Sequence, residues 1–349
     1  MKQNITFSIF LFMCSIAFFS CSRRKPAQTP AAVQKQPHIL IGFSIDTFII
    51  ERWQRDVDIF IDTAENLGAE VIVQTSGNSV AVQNSQIKYL LDKGVDVLVI
   101  VPKEASTLTE TLRLAHQRNI PVISYDRLIK DSDISLYITI DSQKVGEFMA
   151  QKLADLRPRG KYLCMYGPRE DNNMLMATTG VNRVLAKYPD IKIIKEYYVD
   201  NWNFDLAYQK MNEFLDTGLR PDAVICGNDA VAESVIRSLG ENGLEGVLVS
   251  GQDADIAACQ RIVTGKQTMT VYKPITVLAK KAAKYACAFA GNRNFVPEGG
   301  DDETLTTMNN GYRDVPTILL KPVSVTKKNI DTVIIASGFH THDEVYEPD

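Results

Sequence analysis

The sequence predicts an α/β protein in which two doubly wound, parallel-sheet lobes of Rossmann-like construction follow one another along the chain. Three observations lead there. Short apolar runs alternate with segments whose apolar residues recur at helical spacing, the pattern of repeated βα units. The runs are continuous, as strands buried on both faces require. The 349 residues exceed what a single core sustains, so about two domains of roughly 150 residues are expected.

The first twenty residues stand outside this pattern. Lys2 precedes an apolar run over 5–19 that ends at Ser20-Cys21. The run is shorter than the ~20 residues of a membrane span and has the layout of a secretory signal. Cys21 stands where a lipoprotein is cleaved and acylated, which predicts lipidation of Cys21, residence in the periplasm and membrane attachment through that lipid alone. Residues 21–37, three cations followed by Pro, Ala and Gln, bury no surface and read as a flexible tether.

The folded part begins at His38. A strand over 39–44 is followed by Trp53, Val57, Phe60, Ile61, Ala64 and Leu67 at helical spacing, with Gly68 as the stop. The unit recurs through strands at 71–73, 95–101 and 122–125, separated by helices at 79–93 and through Leu112 and His116. A second series opens at Ser142, with strands expected at 161–166, 192–198, 222–226, 246–250 and 268–272 and helices between them. An Ala-rich helix over 275–290, a polar stretch over 291–311 and a last apolar run over 317–320 complete the body. The economical assignment gives the helix to the first lobe (38–140 with 275–308) and the last strand to the second (141–274 with 309–338), with 339–349 a solvated tail. Three crossings, near 140–142, 272–275 and 306–314, then form a hinge between two rigid lobes.

With 45% hydrophobic and 23% charged residues, the composition excludes a disordered or multi-span chain. The net charge of −4 disfavours nucleic acid as a partner. A repressor of related fold fails further, because an export signal occupies the place of its helix-turn-helix. No GxGxxG, GxxxxGK[ST], HExxH or GxSxG occurs, so neither a cofactor nor enzyme chemistry is indicated. A glycosidase remains the rival reading, with Asp126 and Asp253 as its carboxylates. His340 and His342 lack a third ligand, and no metal is expected. Cys164, Cys226, Cys259 and Cys287 sit in apolar or Ala-rich patterns and read as free thiols, with two disulfides the alternative.

Ligands of open parallel sheets bind beyond the carboxyl ends of the strands, which directs attention to the residues after each apolar run. Asp46 follows the first strand, and Arg52 and Trp53 open its helix; Asp126 and Arg127 follow the strand at 122–125. In the second series Asp171, Asn173, Trp202, Asn228 and Asp253 occupy such positions, and Lys273 stands on a crossing. Carboxylates, amides and cations hold hydroxyls by charge-assisted hydrogen bonds, and indoles cover C–H faces, a mixture suited to a sugar. The plainer readings are helix N-caps for Asp46, Asn228, Asp229 and Asp253, core packing for the tryptophans, an Asp126–Arg127 ion pair, and a solvated Lys273. Caps alone, however, do not require Arg, Lys and Trp to gather at the same sheet edge.

A family resemblance enters at these residues. Glu51-Arg52-Trp53-Gln54, Tyr125-Asp126-Arg127, Asp171-Asn172-Asn173, Asn228-Asp229-Ala230, Ser250-Gly251-Gln252-Asp253 and Tyr272-Lys273-Pro274-Ile275 resemble the D-xylose-binding members of the type I periplasmic sugar-binding family. The likeness runs in order from about His38 to Phe339. It implies two α/β lobes, joined by three strands, that close over one monosaccharide, most simply D-xylose. The loaded protein, a monomer, is then presented to an ABC permease, with a membrane sensor as the alternative partner. Position by position, it implies that Arg52, Asp126, Arg127, Asn173, Asn228, Asp253 and Lys273 hydrogen-bond the sugar. Trp53 and Trp202 would stack on its faces, with Asp46 and Asp171 as further contacts. Thr47, Ile49 and the loop 168–170 depart from the family pattern at the rim.

Overall fold

The computed structural model describes residues 38–300 and 303–347; the expected signal, Cys21 and the tether lie outside the described residues. The first series comprises β1 (Ile39–Ile45), α1 (Arg52–Asn66), β2 (Ala69–Thr75), α2 (Val80–Asp92), β3 (Val97–Ile100), α3 (Thr109–Gln117), β4 (Val122–Tyr125) and β5 (Leu136–Ile140). The second comprises α4 (Ser142–Leu156), β6 (Gly160–Tyr166), α5 (Asn172–Leu185), β7 (Ile191–Tyr198), α6 (Phe204–Asp216), β8 (Ala223–Cys226), α7 (Asp229–Glu241), β9 (Leu248–Ser250), α8 (Ile256–Val263) and β10 (Thr270–Tyr272). The chain ends with α9 (Ile275–Gly291), β11 (Glu303–Asn309), β12 (Asp314–Leu320), β13 (Val323–Val325) and α10 (His342–Tyr346).

Two sheets result. The first has the order β11-β12-β5-β4-β3-β1-β2 and the second β7-β6-β8-β9. Every neighbour pair is parallel except β11 with β12. Strand β3 shows why its run is wholly apolar: Val97 and Val99 enter the core on one face and Leu98 and Ile100 the core on the other. Burying each such side chain contributes about 1.5–3 kcal/mol. After β10 the chain returns to the first sheet through α9, whose buried Ala279, Ala282, Ala283 and Ala286 permit close packing against α1. A two-stranded antiparallel ribbon, β10 with β13, lies beside the second sheet, tied to β9 through a bridge between Ser250 and Met269.

Two expectations are corrected. The last apolar run belongs to the first sheet, where β12 pairs with β5, and not to the second lobe. The third crossing therefore falls between β12 and β13, around 320–323, rather than at 306–314. The reason is β11: its alternating, half-exposed sequence ETLTTMN reads as a polar connection, yet it forms a hairpin with β12 and covers that strand's free edge. Nor is 339–349 a solvated tail throughout. His340 is 3% exposed and its Nε2 lies 2.8 Å from the Ala254 carbonyl. A capping box between Thr341 and Glu344 starts α10, which buries Val345 with Ile330, Ile334 and Cys259. Among the described residues the four cysteines are free, three of them buried.

Candidate functional site

The cleft between the two sheets is built at the carboxyl ends of their strands. On the first side, β1 delivers Asp46, and the first turn of α1 delivers Arg52 and Trp53. Trp53 begins the apolar stripe Trp53, Val57, Phe60, Ala64 and is 2% exposed, while the Arg52 guanidinium lies 4.4 Å from its ring centroid. The ring is thus both core and cleft wall, and its Nε1 has no hydrogen-bond partner among the described residues. β4 delivers Asp126 and Arg127. Asp126 sits at φ +62°, a left-handed conformation that Asp tolerates. Its carbonyl is held there by Tyr137 Oη at 3.0 Å and Thr139 Oγ1 at 2.6 Å.

On the second side, Asp171 caps α5 by accepting from Asn173 N, and Asn228 caps α7 by accepting from Val231 N at 2.9 Å. Both also line the cleft, so the cap and the site readings hold together. Asp253 is no cap; at φ +103° it follows β9 and meets Lys273 Nζ at 2.9 Å. Trp202, at φ +55°, lays its indole on the sheet edge. That approach requires Gly167 and Gly227, which follow β6 and β8: a Cβ on Gly167 would stand 2.3 Å from the indole.

Ten of the eleven residues singled out from the sequence therefore line one narrow cleft. The exception is Asp46, which stands behind Arg127 and accepts from its Nη1 at 2.5 Å. The structure also rearranges the pairing. Asp126 bonds Arg52 at 3.0 Å, and Arg127 reaches across the cleft to Asp171 at 2.9 Å. Asn173 reaches back to the Asp126 carboxylate at 3.0 Å. Burial acts to raise the Asp126 carboxyl, but Arg52, Lys273 and Arg127 outweigh it and hold it below the usual range. For Asp46 burial prevails over Arg127 and pushes the carboxyl up. Three carboxylates, three cations, two amides and two indoles therefore converge on one enclosed space, an arrangement that binds a polyhydroxylated neutral molecule. No group of three or more His, Cys, Asp or Glu side chains is placed to hold a metal ion among the described residues.

Residues 41–294 match the model of the periplasmic binding protein domain. The chain belongs to this family. A D-xylose-binding periplasmic protein of Escherichia coli (strain K12) is 44% identical over 312 residues, covering 88% of this chain and 92% of that protein. A D-xylose-binding periplasmic protein of Haemophilus influenzae is 42% identical over 311 residues, with the same coverage. The crystal structure of an ABC transporter solute binding protein from Clostridium phytofermentans with bound β-D-glucose matches with a TM-score of 0.78 at 28% identity, over 88% of this chain and 99% of that one. The chain is accordingly a solute-binding protein rather than an enzyme, and the glycosidase reading falls.

In this binding protein Ile50, Met174 and Gln252 also line the cleft, though the sequence reading assigned none of them to the site. Gln252 carried a signal, following an apolar run directly before Asp253; its Nε2 donates to the Gly227 carbonyl at 2.5 Å. Ile50 and Met174 carried none, being apolar residues next to polar ones. Asp56 was passed over too, one helical turn beyond Arg52.

Proposed function

We propose that this binding protein captures a monosaccharide, D-xylose foremost, between its lobes in the periplasm and delivers it to an ABC permease. It works as a monomer held to the membrane by a lipid on Cys21. The observation that carries the reading is the meeting of Arg52, Asp126, Arg127, Asp253 and Lys273, all but Lys273 at most 6% exposed, in one interlobe cleft with Trp53 and Trp202. The similarity to D-xylose-binding relatives over 88% of the chain supports the choice of sugar.

The geometry supplies a mechanism. Arg127 to Asp171, Asn173 to Asp126 and, at 4.0 Å, Arg52 to Asp253 are contacts between the two lobes. Hydroxyls caught among these groups complete hydrogen bonds to both sides at once, which only the closed arrangement offers. The sugar thus shifts the hinge equilibrium by its differential affinity for the closed form. The indoles cover its apolar faces, and the carboxylates and cations fix the directions of its hydroxyls.

Calorimetric titration of residues 38–349 against xylose, arabinose, ribose, glucose and inositol tests the reading. Submicromolar binding of xylose is the expected result, and no heat with any of the five refutes it. Mass spectrometry of the membrane-extracted protein tests the lipid on Cys21.

A further inference from the structure

Asp229 does not line the cleft, yet it is 0% exposed and adjoins or bonds three second-lobe segments, at 228, 252–255 and 267–273, of which Asn228, Gln252, Asp253 and Lys273 do. Its Oδ2 accepts from Thr270 Oγ1 at 2.7 Å and from Asp255 N at 3.2 Å, and its Oδ1 accepts from Gln267 Nε2 at 2.8 Å. Its own N–H donates to the Gln252 carbonyl at 3.0 Å, and its carbonyl accepts from Arg261 Nη2 at 3.2 Å. Thr270 Oγ1 in turn accepts from Ala254 N at 3.2 Å. The carboxylate approaches so closely that a Cβ on Gly251 would stand 2.1 Å from Oδ1. The segment it holds is strained, with Asp253 at φ +103° and Ala254 at φ +56°, and persists only where its surroundings fix it.

We propose that Asp229 is a positioning residue for sugar binding: from behind the cleft its carboxylate pins together the helix start carrying Asn228, the segment carrying Asp253 and the strand leading to Lys273. The inference rests on the sugar-binding reading above.

The pin senses protons. Asp253 and Asp255 face it from the 251–255 segment, Arg261 and Cys259 from α8, and Cys226 from β8, with Glu51 and His340 flanking Asp255 and Ala254. Burial first, and the Asp253 charge after it, push the Asp229 carboxyl up to about 7 against the pull of Thr270, Arg261 and Gln267. Three donors already occupy its two oxygens, so a proton there needs an acceptor. Thr270 Oγ1 is the hydroxyl within reach, and using it so breaks the bond that it now donates. Ionised Asp229 is therefore the form that holds the segment, and acid loosens it.

The test is titration with D-xylose, between about pH 5.5 and 8.5, of the wild type, Asp229→Asn and the near-isosteric Thr270→Val, with thermal melts of each. Wild-type affinity is expected to fall below about pH 7, by up to tenfold per unit for one linked proton. Asp229→Asn should bind about tenfold or more weakly at pH 8 and lose the pH dependence, with Thr270→Val in between. A folded Asp229→Asn that keeps the wild-type affinity and slope overturns the proposal. So does a variant with a lower melting temperature but an unchanged pH profile, since that is a merely structural role. If Asp229→Asn does not fold, Thr270→Val decides, and affinity within twofold of wild type overturns the idea. Absence of sugar binding by the wild type is a separate result, visible before any variant is made, and it removes the reading beneath.

Discussion

Asp56 grips Arg52 along the edge of its guanidinium, Oδ2 to Nε at 3.1 Å and Oδ1 to Nη2 at 3.2 Å, one turn apart on α1. Tyr125 donates to the same carboxylate. The fork leaves Arg52 one orientation, bonded to Asp126 on its own side of the cleft and aimed across it toward Asp253. Replacing Asp56 by Ala leaves a buried cation with Asp126 as its one close carboxylate and should cost about 3–5 kcal/mol of stability. Urea unfolding measures that cost, and titration of the folded fraction should show weakened sugar binding. A variant within 1 kcal/mol of wild type would mean that Asp126 alone suffices to hold Arg52.

Gly167→Ala tests the seat of Trp202. The added methyl overlaps the indole and displaces it, at about 1–3 kcal/mol in stability. Sugar affinity should fall roughly tenfold, or about 1.4 kcal/mol. Tryptophan fluorescence follows the displacement directly, and an unshifted spectrum with full affinity counts against a platform role for Trp202.

The pH dependence of stability has a definite sign. The Asp229 carboxyl rises from 3.8 to about 7 in the folded protein, so the fold takes up a proton across that window. Its stabilising contribution is fully present below about pH 4 and is lost as the pH climbs through 7. Burial pushes Asp46 and Asp56 in the same direction. Asp126 behaves oppositely, contributing above its ordinary value and losing that only in stronger acid. Melting curves should show wild type gaining on Asp229→Asn as the pH falls from about 8 to 5, by several degrees. A constant gap between the two would show that Asp229 does not titrate there. Acid thus strengthens the fold while it weakens the pin behind the cleft.

Arg55 binds the C-terminal segment. Its Nη1 donates to the Phe339 carbonyl at 2.9 Å, and its guanidinium lies 4.5 Å from the Phe339 ring centroid. Arg55→Ala should cost about 1–2 kcal/mol. Faster amide exchange confined to 336–347 is the expected signature, and exchange unchanged there would show the segment to be held by Val345 and its neighbours alone.

What the sequence made legible was set by pattern strength. The parallel strands announce themselves because both their faces are buried, as β3 and β1 show. β11 was invisible for the converse reason, since a half-exposed edge strand with three Thr among its seven residues looks like a loop. The misplacement of β12 follows from that omission, because without β11 its run has no reason to extend the first sheet. At the site, polar residues after apolar runs marked the cleft well, while Asp56 and Asp229, which act one layer back, look like ordinary helix residues. Partner choice among the charged groups was also beyond reach: nothing in the order Asp126-Arg127 reveals that each pairs elsewhere.

The ribbon of β10 and β13 has one more consequence. Tyr272 and Val323, its paired ends, abut the second and third passages of the chain between the lobes, so these two passages leave the second lobe side by side from a hydrogen-bonded pair. Two tethers splayed apart would permit twist and shear, whereas a laced pair bends readily about one line and resists rotation about any other. On the proposed closure, the lobes are expected to retrace a single arc, so that residues from distant stretches of sequence meet again in unchanged register each time the gap shuts.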